Sequence, residues 1–556
     1  MKKACSRREI HISLFLISMI LTTGCGNNNK EKKGSSLPSP DTEFFQDITS
    51  DAGLNFVHTI GDTELDNIIE SVGGGSALLD YDKDGFLDVF FCNGRWIDGF
   101  SKGEKTKTIQ GNRLYRNNHD GTFQDVTKKA GVEGEGYGMG VSIGDYNNDG
   151  YPDIFVSNYG PNELFRNDGN GTFTNITKKA GVSGGNECTA GAAWFDYDGD
   201  SFLDLYVGNY LYYDPDYKYF YAPDGFPGPM AYDAQKDILY HNNSDGTFND
   251  VTEKLGITDL DGRAMGVGVA DMDEDGYVDV YVANDHTLNY LWHNEKGTGF
   301  NNIGIMSGTA FSQGGEAAVS MSIDFADYTG DGLLDMFVSD DTYCSLYQNR
   351  GNGLYSDEGI SSGISMAAAQ FVGWSSSFFD YDNDGDADIT KTNGALKHLY
   401  GQESQVFEND GSGKFTDVSL KLGDYFNKEY VGRGSCIGDY DNDGDLDLFV
   451  TNLNDRCVLL RNNKGNQNNW LLLDLKGTVS NADAVGARVR LTSGGKLQIN
   501  QKRSTTGYLS QGDHRLHFGL GKNDIIEKIE ITWPSGKNQV LENVKANQIL
   551  SVTEPR

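Results

Sequence analysis

The chain has 556 residues, enough for several domains, and its 81 acidic and 46 basic residues give a formal net charge of −35. A surface of this sign repels phosphates, so the charge excludes a general nucleic-acid-binding role. Aromatic residues make up 12% of the chain, which argues against disorder, and 71 glycines with 10 prolines suit many tight turns.

The N-terminus has the pattern of an export signal. Basic residues precede an apolar run over residues 10–21, and Thr22-Thr23-Gly24-Cys25 follows. The run is short for a membrane span and is typical of a signal peptide. We interpret residues 1–24 as a lipoprotein signal, Cys25 as the lipidated first residue of the mature chain, and residues 25–41 as a flexible tether. This predicts a protein anchored in the bacterial outer membrane or cell envelope; the alternative is a soluble secreted protein.

Seven stretches follow the pattern Asp-x-Asp-x-Asp-Gly-x-x-Asp fully or with one substitution, most clearly at residues 439–447. Alternate side chains of a tight loop point to one side, so the carboxylates at positions 1, 3, 5 and 9 can converge on one ion. The carbonyl of position 7 adds an oxygen, and glycine at position 6 permits the positive φ of the turn. A single copy can be an ion-free turn, but seven copies in one register favour up to seven Ca²⁺ ions.

The predicted ligands of the first four loops are Asp80, Asp82, Asp84, Phe86, Asp88, Asp145, Asn147, Asp149, Tyr151, Asp153, Asp196, Asp198, Asp200, Phe202, Asp204, Asp271, Asp273, Asp275, Tyr277 and Asp279. Those of the last three are Asp327, Thr329, Asp331, Leu333, Asp335, Asp380, Asp382, Asp384, Asp386, Asp388, Asp439, Asp441, Asp443, Asp445 and Asp447. Neutral Asn147 and Thr329 at position 3, and extra carboxylates at Asp386 and Asp445, predict weakest binding in loop five and tightest in loops six and seven. Ser201 replaces the turn glycine of loop three, which predicts a strained or rearranged turn.

The residues around each loop predict strands. Position 12 never carries the glutamate of an EF-hand, and the flanks are β-branched and aromatic. The loops recur roughly every 50–75 residues, and two further motifs, of the Leu-Tyr-Arg-Asn and Phe-x-Asp-Val-Thr types, follow in phase. Four short strands per repeat predict an all-β, seven-bladed propeller over residues 42–466. The last repeat lacks its final strand, so residues 44–49 are expected to close the last blade.

The largest insertion, residues 209–237, is rich in aromatic residues and proline. Aromatic rings on a rigid scaffold can stack on sugars or anchor a protein partner, and the alternative is a loop that covers apolar surface. The candidate ligand residues are Tyr212, Tyr213, Tyr217, Tyr219, Phe220, Tyr221 and Phe226.

Signals for catalysis are weak. The sequence contains no Walker loop, dinucleotide fingerprint or HExxH motif, and no catalytic residue is predicted. His286 and His398 follow second strands and can lie near the mouth of the ring.

The repeated loops resemble the FG-GAP/VCBS repeats of integrin α-subunit propellers. The tail, 467–556, resembles the ASPIC/UnbV domain in the stretches 481–489, 507–511, 517–521 and 533–536. Read by itself, the tail alternates polar and apolar residues and predicts a small β domain packed on the propeller. Together the two parts resemble bacterial relatives of the cartilage acidic protein family, which implies a secreted, calcium-loaded binding protein.

Two functions remain open at this stage. The first is a calcium-binding, envelope-anchored binding or adhesion protein, expected to be monomeric, whose ligand is a carbohydrate or a protein. The second is an envelope enzyme that acts on a carbohydrate or secondary metabolite in the propeller mouth, an idea based on analogy of fold.

Overall fold

The computed structural model describes residues 43–217, 225–258 and 261–556, all of which belong to one compact unit. The predicted signal peptide, Cys25 and the tether lie outside the described residues, as do Tyr219, Phe220 and Tyr221 of the insertion. Among the described helices, none is both long and apolar enough for a membrane span.

Four-stranded antiparallel sheets, here called blades, occupy residues 45–462, and the described residues contain seven of them. Blades one to three contain β2 (Ser76–Leu79), β3 (Asp88–Phe91), β4 (Arg113–Asn117), β5 (Phe123–Asp125), β6 (Tyr137–Gly144), β7 (Asp153–Tyr159), β8 (Glu163–Asn167), β9 (Phe173–Asn175), β10 (Thr189–Phe195), β11 (Asp204–Asn209), β12 (Ile238–Asn242) and β13 (Phe248–Asp250). Blades four to six contain β14 (Ala264–Ala270), β15 (Asp279–Asn284), β16 (Tyr290–Asn294), β17 (Phe300–Asn302), β18 (Ile323–Ala326), β19 (Asp335–Val338), β20 (Ser345–Asn349), β21 (Tyr355–Asp357), β22 (Gly373–Phe379), β23 (Asp388–Asn393), β24 (Gln405–Asn409) and β25 (Phe415–Asp417).

Blade seven joins the two ends of the repeat region. It contains β26 (Gly432–Gly438), β27 (Asp447–Asn452), β28 (Val458–Asn462) and, on its outer edge, β1 (Phe45–Asp47). Phe45 lies opposite Asn462 and Asp47 opposite Leu460. This is the clasp that the motif order predicts, and it leaves no unpaired edge inside the ring.

The blades are arranged around a common axis. The innermost strands β2, β6, β10, β14, β18, β22 and β26 contact one another in that order, and β26 contacts β2. Apolar clusters fill the space between neighbouring blades; one of them joins Leu79 and Phe90 of blade one to Ile143 and Phe165 of blade two. The predicted all-β propeller class is confirmed.

Short helices follow several outer strands and were not predicted. They are α1 (Ile68–Ser71), α2 (Thr127–Ala130), α3 (Thr177–Ala180), α4 (Gly304–Ser307), α5 (Gly359–Ser362), α6 (Ile364–Ala368) and α7 (Ser419–Leu422). In α2 the Asp125 side chain accepts the Thr127 N–H at 2.9 Å, and Gly131 ends the turn with a φ of 79°. The recurring Asp-Val-Thr spacing is therefore a strand end followed by one helical turn.

The tail forms two sheets that share one apolar core. The first contains β29 (Asn469–Lys476), β32 (Leu516–Gly521) and β35 (Gln548–Thr553). The second contains β30 (Arg488–Ser493), β31 (Lys496–Gln501), β33 (Ile525–Thr532) and β34 (Asn538–Lys545). Leu473, Leu491, Phe518 and Ile529 are buried between them. The tail was predicted to be a small β domain, and these two packed sheets form a β-sandwich.

Residues 503–514 of the tail, here called the plug, enter the ring along its axis. They contact the innermost strands of blades one, two, three, five, six and seven, through Gln511, Leu509, Ser504, Gly507, Tyr508 and Asp513 respectively. Gln501, next to the plug, accepts the Asp271 N–H of blade four at 3.1 Å. Tyr508 and Leu509 are buried at the tip. The tail therefore fills the axis of the propeller, a contact that its sequence alone did not reveal.

Candidate metal centres

The acidic loops connect the first and second strands of the blades, so they share one end of the ring, here called the acidic end. In loop one, Asp80 accepts the N–H groups of Asp84 and Gly85, each at 3.0 Å. Asp88 at position 9 accepts the N–H of Tyr81 at 3.1 Å. These bonds wrap the chain around its own first carboxylate and hold positions 1 and 9 at the centre of the loop.

The other loops repeat this geometry. The position-1 carboxylate accepts the N–H groups of positions 5 and 6 in Asp145, Asp196, Asp271, Asp327, Asp380 and Asp439. Ser201 adopts the left-handed φ of 77° that glycine adopts elsewhere and still donates to Asp196 at 2.9 Å. The turn of loop three is thus strained but not rearranged. Position 4 is also left-handed, for example Lys83 with a φ of 59°, which the motif did not predict.

The carboxylates converge in the predicted manner in loops one and three. Oxygen atoms of Asp80, Asp82 and Asp88 lie within 4.8 Å of one another, and those of Asp196, Asp198 and Asp204 do the same. Within the acidic loops, the buried carboxylate oxygens without a hydrogen-bond partner in the described structure are Asp82 Oδ1, Asp153 Oδ2, Asp198 Oδ1, Asp335 Oδ2, Asp441 Oδ1 and Asp445 Oδ1. Because a buried, unpaired carboxylate is costly, these oxygens fit a hard cation.

Burial also alters the titration of the loop carboxyls. It raises the pKa of Asp204 to about 7 and the pKa of Asp335 and Asp439 to about 8, and neighbouring carboxylates add to the effect. Packing several carboxylates together in a buried loop disfavours their ionised form. A divalent cation in the loop removes this penalty.

The third strand of several blades places a basic side chain over the acidic loop, and the sequence analysis did not predict this contact. His241 Nδ1 lies 3.2 Å from Asp204, and His293 Nδ1 lies 3.1 Å from Asp279, which raises the pKa of His293 to about 9 through that hydrogen bond. The equivalent Arg116 pairs with Asp82 at 2.6 Å. These basic residues occupy the third position of the Leu-Tyr-x-Asn motif, and that recurring position could have indicated them. An ion in these loops must share carboxylates with the basic side chain.

The final asparagine of the Leu-Tyr-x-Asn motif connects adjacent blades. Asn242 donates from Nδ2 to the carbonyl of Leu203 in its own loop at 3.0 Å and to the carbonyl of Tyr146 in the preceding loop at 2.8 Å. The equivalent donors to the preceding loop are Asn117, Asn167, Asn294, Asn349, Asn409 and Asn462. Each acidic loop is therefore tied to the next blade.

The Asn242→Ala substitution is expected to destabilise the protein by about 2–4 kcal/mol, because two buried carbonyls lose their donor. Chemical denaturation measures this change. The matched control is Asn243→Ala, whose side chain bonds to Thr247 in an outer turn; this variant is expected to lose less than about 1 kcal/mol. Equal losses in both variants would rule out the inter-blade role.

The tail is seated on the acidic end. Its contacts with loops two, three, five, six and seven are Ala482 to Asn148, Val479 to Ser201, Arg488 to Gly332, Lys496 to Asp386 and Arg515 to Asp439. Lys496 Nζ lies 2.6 Å from Asp386, so the extra charge predicted to tighten loop six is already paired. Asp483 accepts the Asp145 N–H at 2.7 Å and brings a carboxylate to loop two, which lacks one at position 3.

The aromatic insertion connects the second and third strands of blade three, at the end of the ring opposite the acidic loops. Tyr212 and Tyr217 are 57% and 41% exposed, whereas Phe226 is 3% exposed and belongs to the apolar cluster around the plug tip. Tyr213 is half-buried and packs edge-on against Phe100. The insertion thus combines both interpretations: Phe226 covers apolar surface, and the exposed tyrosines are free to meet a ligand.

The two histidines considered for catalysis lie at this opposite end. His286 follows β15 beside Asp285, with 4.0 Å between Nε2 and the Asp285 carboxylate. His398 lies on the connection after β23, and its ring is 5.1 Å from that of Tyr400.

Comparison with known proteins identifies the repeats. The model for FG-GAP-like repeats matches residues 80–156, 145–207, 230–282, 271–338 and 327–390, which together make up more than half of the chain. The chain belongs to the FG-GAP-like repeat family. The model named ASPIC and UnbV matches residues 477–556 of this FG-GAP-like protein. The family resemblance predicted from the loop and tail motifs is confirmed.

Two vertebrate proteins are similar to part of this chain. This FG-GAP-like chain is 26% identical to cartilage acidic protein 1 of Homo sapiens over 59% of the chain and 43% of that protein. It is 27% identical to the Mus musculus protein over 65% of the chain and 53% of that protein. The chain therefore spans about half the length of the curated relatives it matches.

Two solved structures are similar to the FG-GAP-like chain. One is an Agrocybe aegerita lectin that recognises non-reducing terminal N-acetylglucosamine, with 20% identity, a TM-score of 0.39 and coverage of 69% of this chain and 87% of the lectin. The other is the BP39L lectin of Burkholderia pseudomallei, with 10% identity, a TM-score of 0.45 and coverage of 70% of this chain and 96% of the lectin.

Proposed function

We propose that this protein is a calcium-loaded binding module, exported and lipid-anchored at Cys25, that binds carbohydrate at the end of the ring opposite its acidic loops. The observation that carries the calcium assignment is the set of buried, partnerless carboxylate oxygens inside wrapped acidic loops. Calcium there supports a rigid ring, and the anchor rests on the sequence pattern of residues 1–25. Binding of a protein at the same surface is the main alternative.

Exposed tyrosines support carbohydrate as the ligand. Tyr212, Tyr217, Tyr343 and Tyr400 are 41–70% exposed. All four lie on connections between second and third strands, which share the end of the ring opposite the acidic loops. Large exposed rings cost free energy in water, and flat apolar faces with a hydroxyl tip suit stacking on sugar rings.

A glycan array probed with the calcium-loaded mature chain tests this proposal. We expect the double substitution of Tyr212 and Tyr217 by alanine to weaken binding of the selected glycan by roughly tenfold or more, since each anchor ring contributes more than about 1 kcal/mol. Leu420→Ala, at an apolar site that is 72% exposed and follows the outer strand of blade six, is the control. Binding that is absent, or that is unchanged in the double variant, would contradict the proposal.

A second candidate function, an enzyme acting on a carbohydrate or secondary metabolite, is favoured by one carboxyl cluster at the same end. Asp285 is buried and accepts the Tyr210 hydroxyl at 2.6 Å beside His286. Burial and the charge of Asp340 raise the pKa of Asp341 to about 7, a value suited to general acid–base catalysis. Product formation from a polysaccharide panel that is lost in Asp341→Asn would favour the enzyme; no product from any polysaccharide would reject a carbohydrate-active enzyme.

A further inference from the structure

A carboxyl cluster lies outside the seven repeat loops. Asp62, Asp66 and Glu70 occupy the segment between β1 and β2, and one oxygen from each lies within 4.8 Å of the others. The backbone of Asp62 forms a β-bridge with the backbone of Lys105, in the connection between the second and third strands of blade one. The cluster therefore lies at the end of the ring opposite the acidic loops, and no repeat motif contains it.

Backbone hydrogen bonds hold these carboxyls in place. Asp62 Oδ2 accepts the N–H groups of Lys102 and Gly103 at 3.1 and 3.2 Å. Glu70 Oε2 accepts the Asp66 N–H at 3.1 Å. The geometry is fixed by the chain from two sides, and each carboxyl keeps lone pairs for a further partner.

One oxygen of the cluster has no such partner. Glu70 is 0% exposed, and its Oε1 makes no hydrogen bond to any residue that the structure describes. Asp62 is also 0% exposed, while Asp66 is half-buried. Within the described chain, no Lys, Arg or His forms an ion pair with any of the three; the charge of Lys102 acts on Asp66 from farther away. Burying carboxylates without a cation is strongly unfavourable.

We propose that Asp62, Asp66 and Glu70 form a binding site for a divalent cation of the Ca²⁺ type, separate from the seven repeat loops. Three carboxyls supply only oxygen ligands, which suit a hard cation, and leave part of its shell to water or another oxygen donor. Solvent reaches the site from the side of Asp66, its least buried member. Tyr213 of the aromatic insertion lies close enough for the charges of Asp66 and Glu70 to act on its hydroxyl.

The competing occupant of the cluster is a proton. Burial raises the pKa of Glu70 to about 9, so an ion-free Glu70 carries a hydrogen that a neighbouring carboxylate can accept. Glutamine has the same shape as the protonated glutamate and also donates a hydrogen bond. Glu70→Gln therefore separates the two possibilities: it removes a cation ligand but preserves a simple hydrogen-bonded acid.

The test counts calcium bound per full chain after equilibrium dialysis, in the unmodified protein and in Glu70→Gln, Asp66→Asn and Glu64→Gln. Glu64 is an exposed carboxylate nearby and serves as the matched control. We expect Glu70→Gln and Asp66→Asn each to bind one ion fewer and Glu64→Gln to bind the full number. Asp66→Asn, at the half-buried position, keeps the test valid if the Glu70 variant fails to fold. Equal ion counts in all four proteins would overturn the site.

Crystals soaked in Tb³⁺ give an independent reading of the same site. The proposal expects an anomalous peak within bonding distance of oxygens from all three residues, and no peak there would overturn it. The dialysis experiment compares ion counts between variants, and the soak locates a single peak. Neither result depends on how many repeat loops hold calcium. Failure of this site and failure of the repeat-loop proposal are therefore distinguishable.

Discussion

Removal of calcium is expected to lower the melting temperature of the protein by about 15–20 °C. With free calcium near a hundred times the dissociation constant, each ion stabilises the folded state by ~2.7 kcal/mol, so seven ions contribute on the order of 20 kcal/mol. The entropy of unfolding for a unit of this size is about 1 kcal/mol per kelvin. Differential scanning calorimetry of resin-stripped protein, with and without added calcium, measures the shift.

The shift in melting temperature on calcium removal is expected to depend on pH. Asp204, Asp335 and Asp439 have folded-state pKa values of about 7, 8 and 8, above the value of about 3.9 in an unfolded chain. Ion-free folding therefore takes up protons, and the ion-free folded state loses stability as the pH rises from about 4 to 8. Calcium replaces those protons, so the difference between the calcium-loaded and stripped melting temperatures is expected to widen over this range.

Magnesium added at the same concentration is a useful control, because it demands a tighter octahedral shell and loses its water reluctantly. We expect it to restore much less of the melting temperature than calcium does. Superimposed melting curves for stripped and calcium-loaded protein at pH 8 would contradict a structural role for the ions.

The Arg515→Ala substitution is expected to destabilise the protein by about 3–5 kcal/mol and to loosen the plug. Arg515 is buried, pairs with Asp513 at 2.6 Å, and donates to the Asp439 carbonyl and to Asn442 Oδ1, each at 2.6 Å. Its loss leaves the Asp513 side chain, which is 5% exposed, without its ion-pair partner, and removing one partner of a buried ion pair is strongly destabilising. Chemical denaturation gives the free energy of unfolding.

Hydrogen exchange locates the effect of this substitution. Backbone amides of Gln511 and Asp513, which donate to blades one and seven, are expected to lose protection in Arg515→Ala. Arg490→Ala is the matched control, since its ion pair with Glu274 at 3.4 Å is about one-third exposed on both sides and contributes less than about 1 kcal/mol. Unchanged protection at 503–514 in Arg515→Ala would mean that the plug is held by other contacts.

The local features of this fold were predictable because they depend on residues that are close together in the sequence. The spacing of Asp80, Asp82, Asp84 and Asp88 fixes a turn whose hydrogen bonds form within nine residues. The missing outer strand of the last repeat indicated the pairing of β1 with β28, because an open sheet edge leaves backbone N–H and C=O groups unpaired. Short-range geometry and the repeat order together define the ring.

Features that depend on distant residues were not predictable in the same way. The bond from Asn242 to the Tyr146 carbonyl joins residues far apart in sequence, and nothing local distinguishes that asparagine from one in a turn. Lys496 of the tail pairs with Asp386, the extra carboxylate of loop six, and the loop sequence gives no sign of this partner. Phe226 is buried in the insertion because the plug tip offers it an apolar surface. The last two outcomes depend on the docking of the tail.

The most direct test of the account is a count of calcium ions bound to the full chain, by elemental analysis after dialysis against micromolar calcium. The account predicts about seven ions in the repeat loops, and the loss of one in Asp447→Asn, whose buried carboxylate accepts the N–H groups of Tyr440 and Asn462. A protein that folds with fewer than one bound ion per chain, or an Asp447→Asn variant that keeps the full number, would contradict the claim that the acidic loops are metal centres.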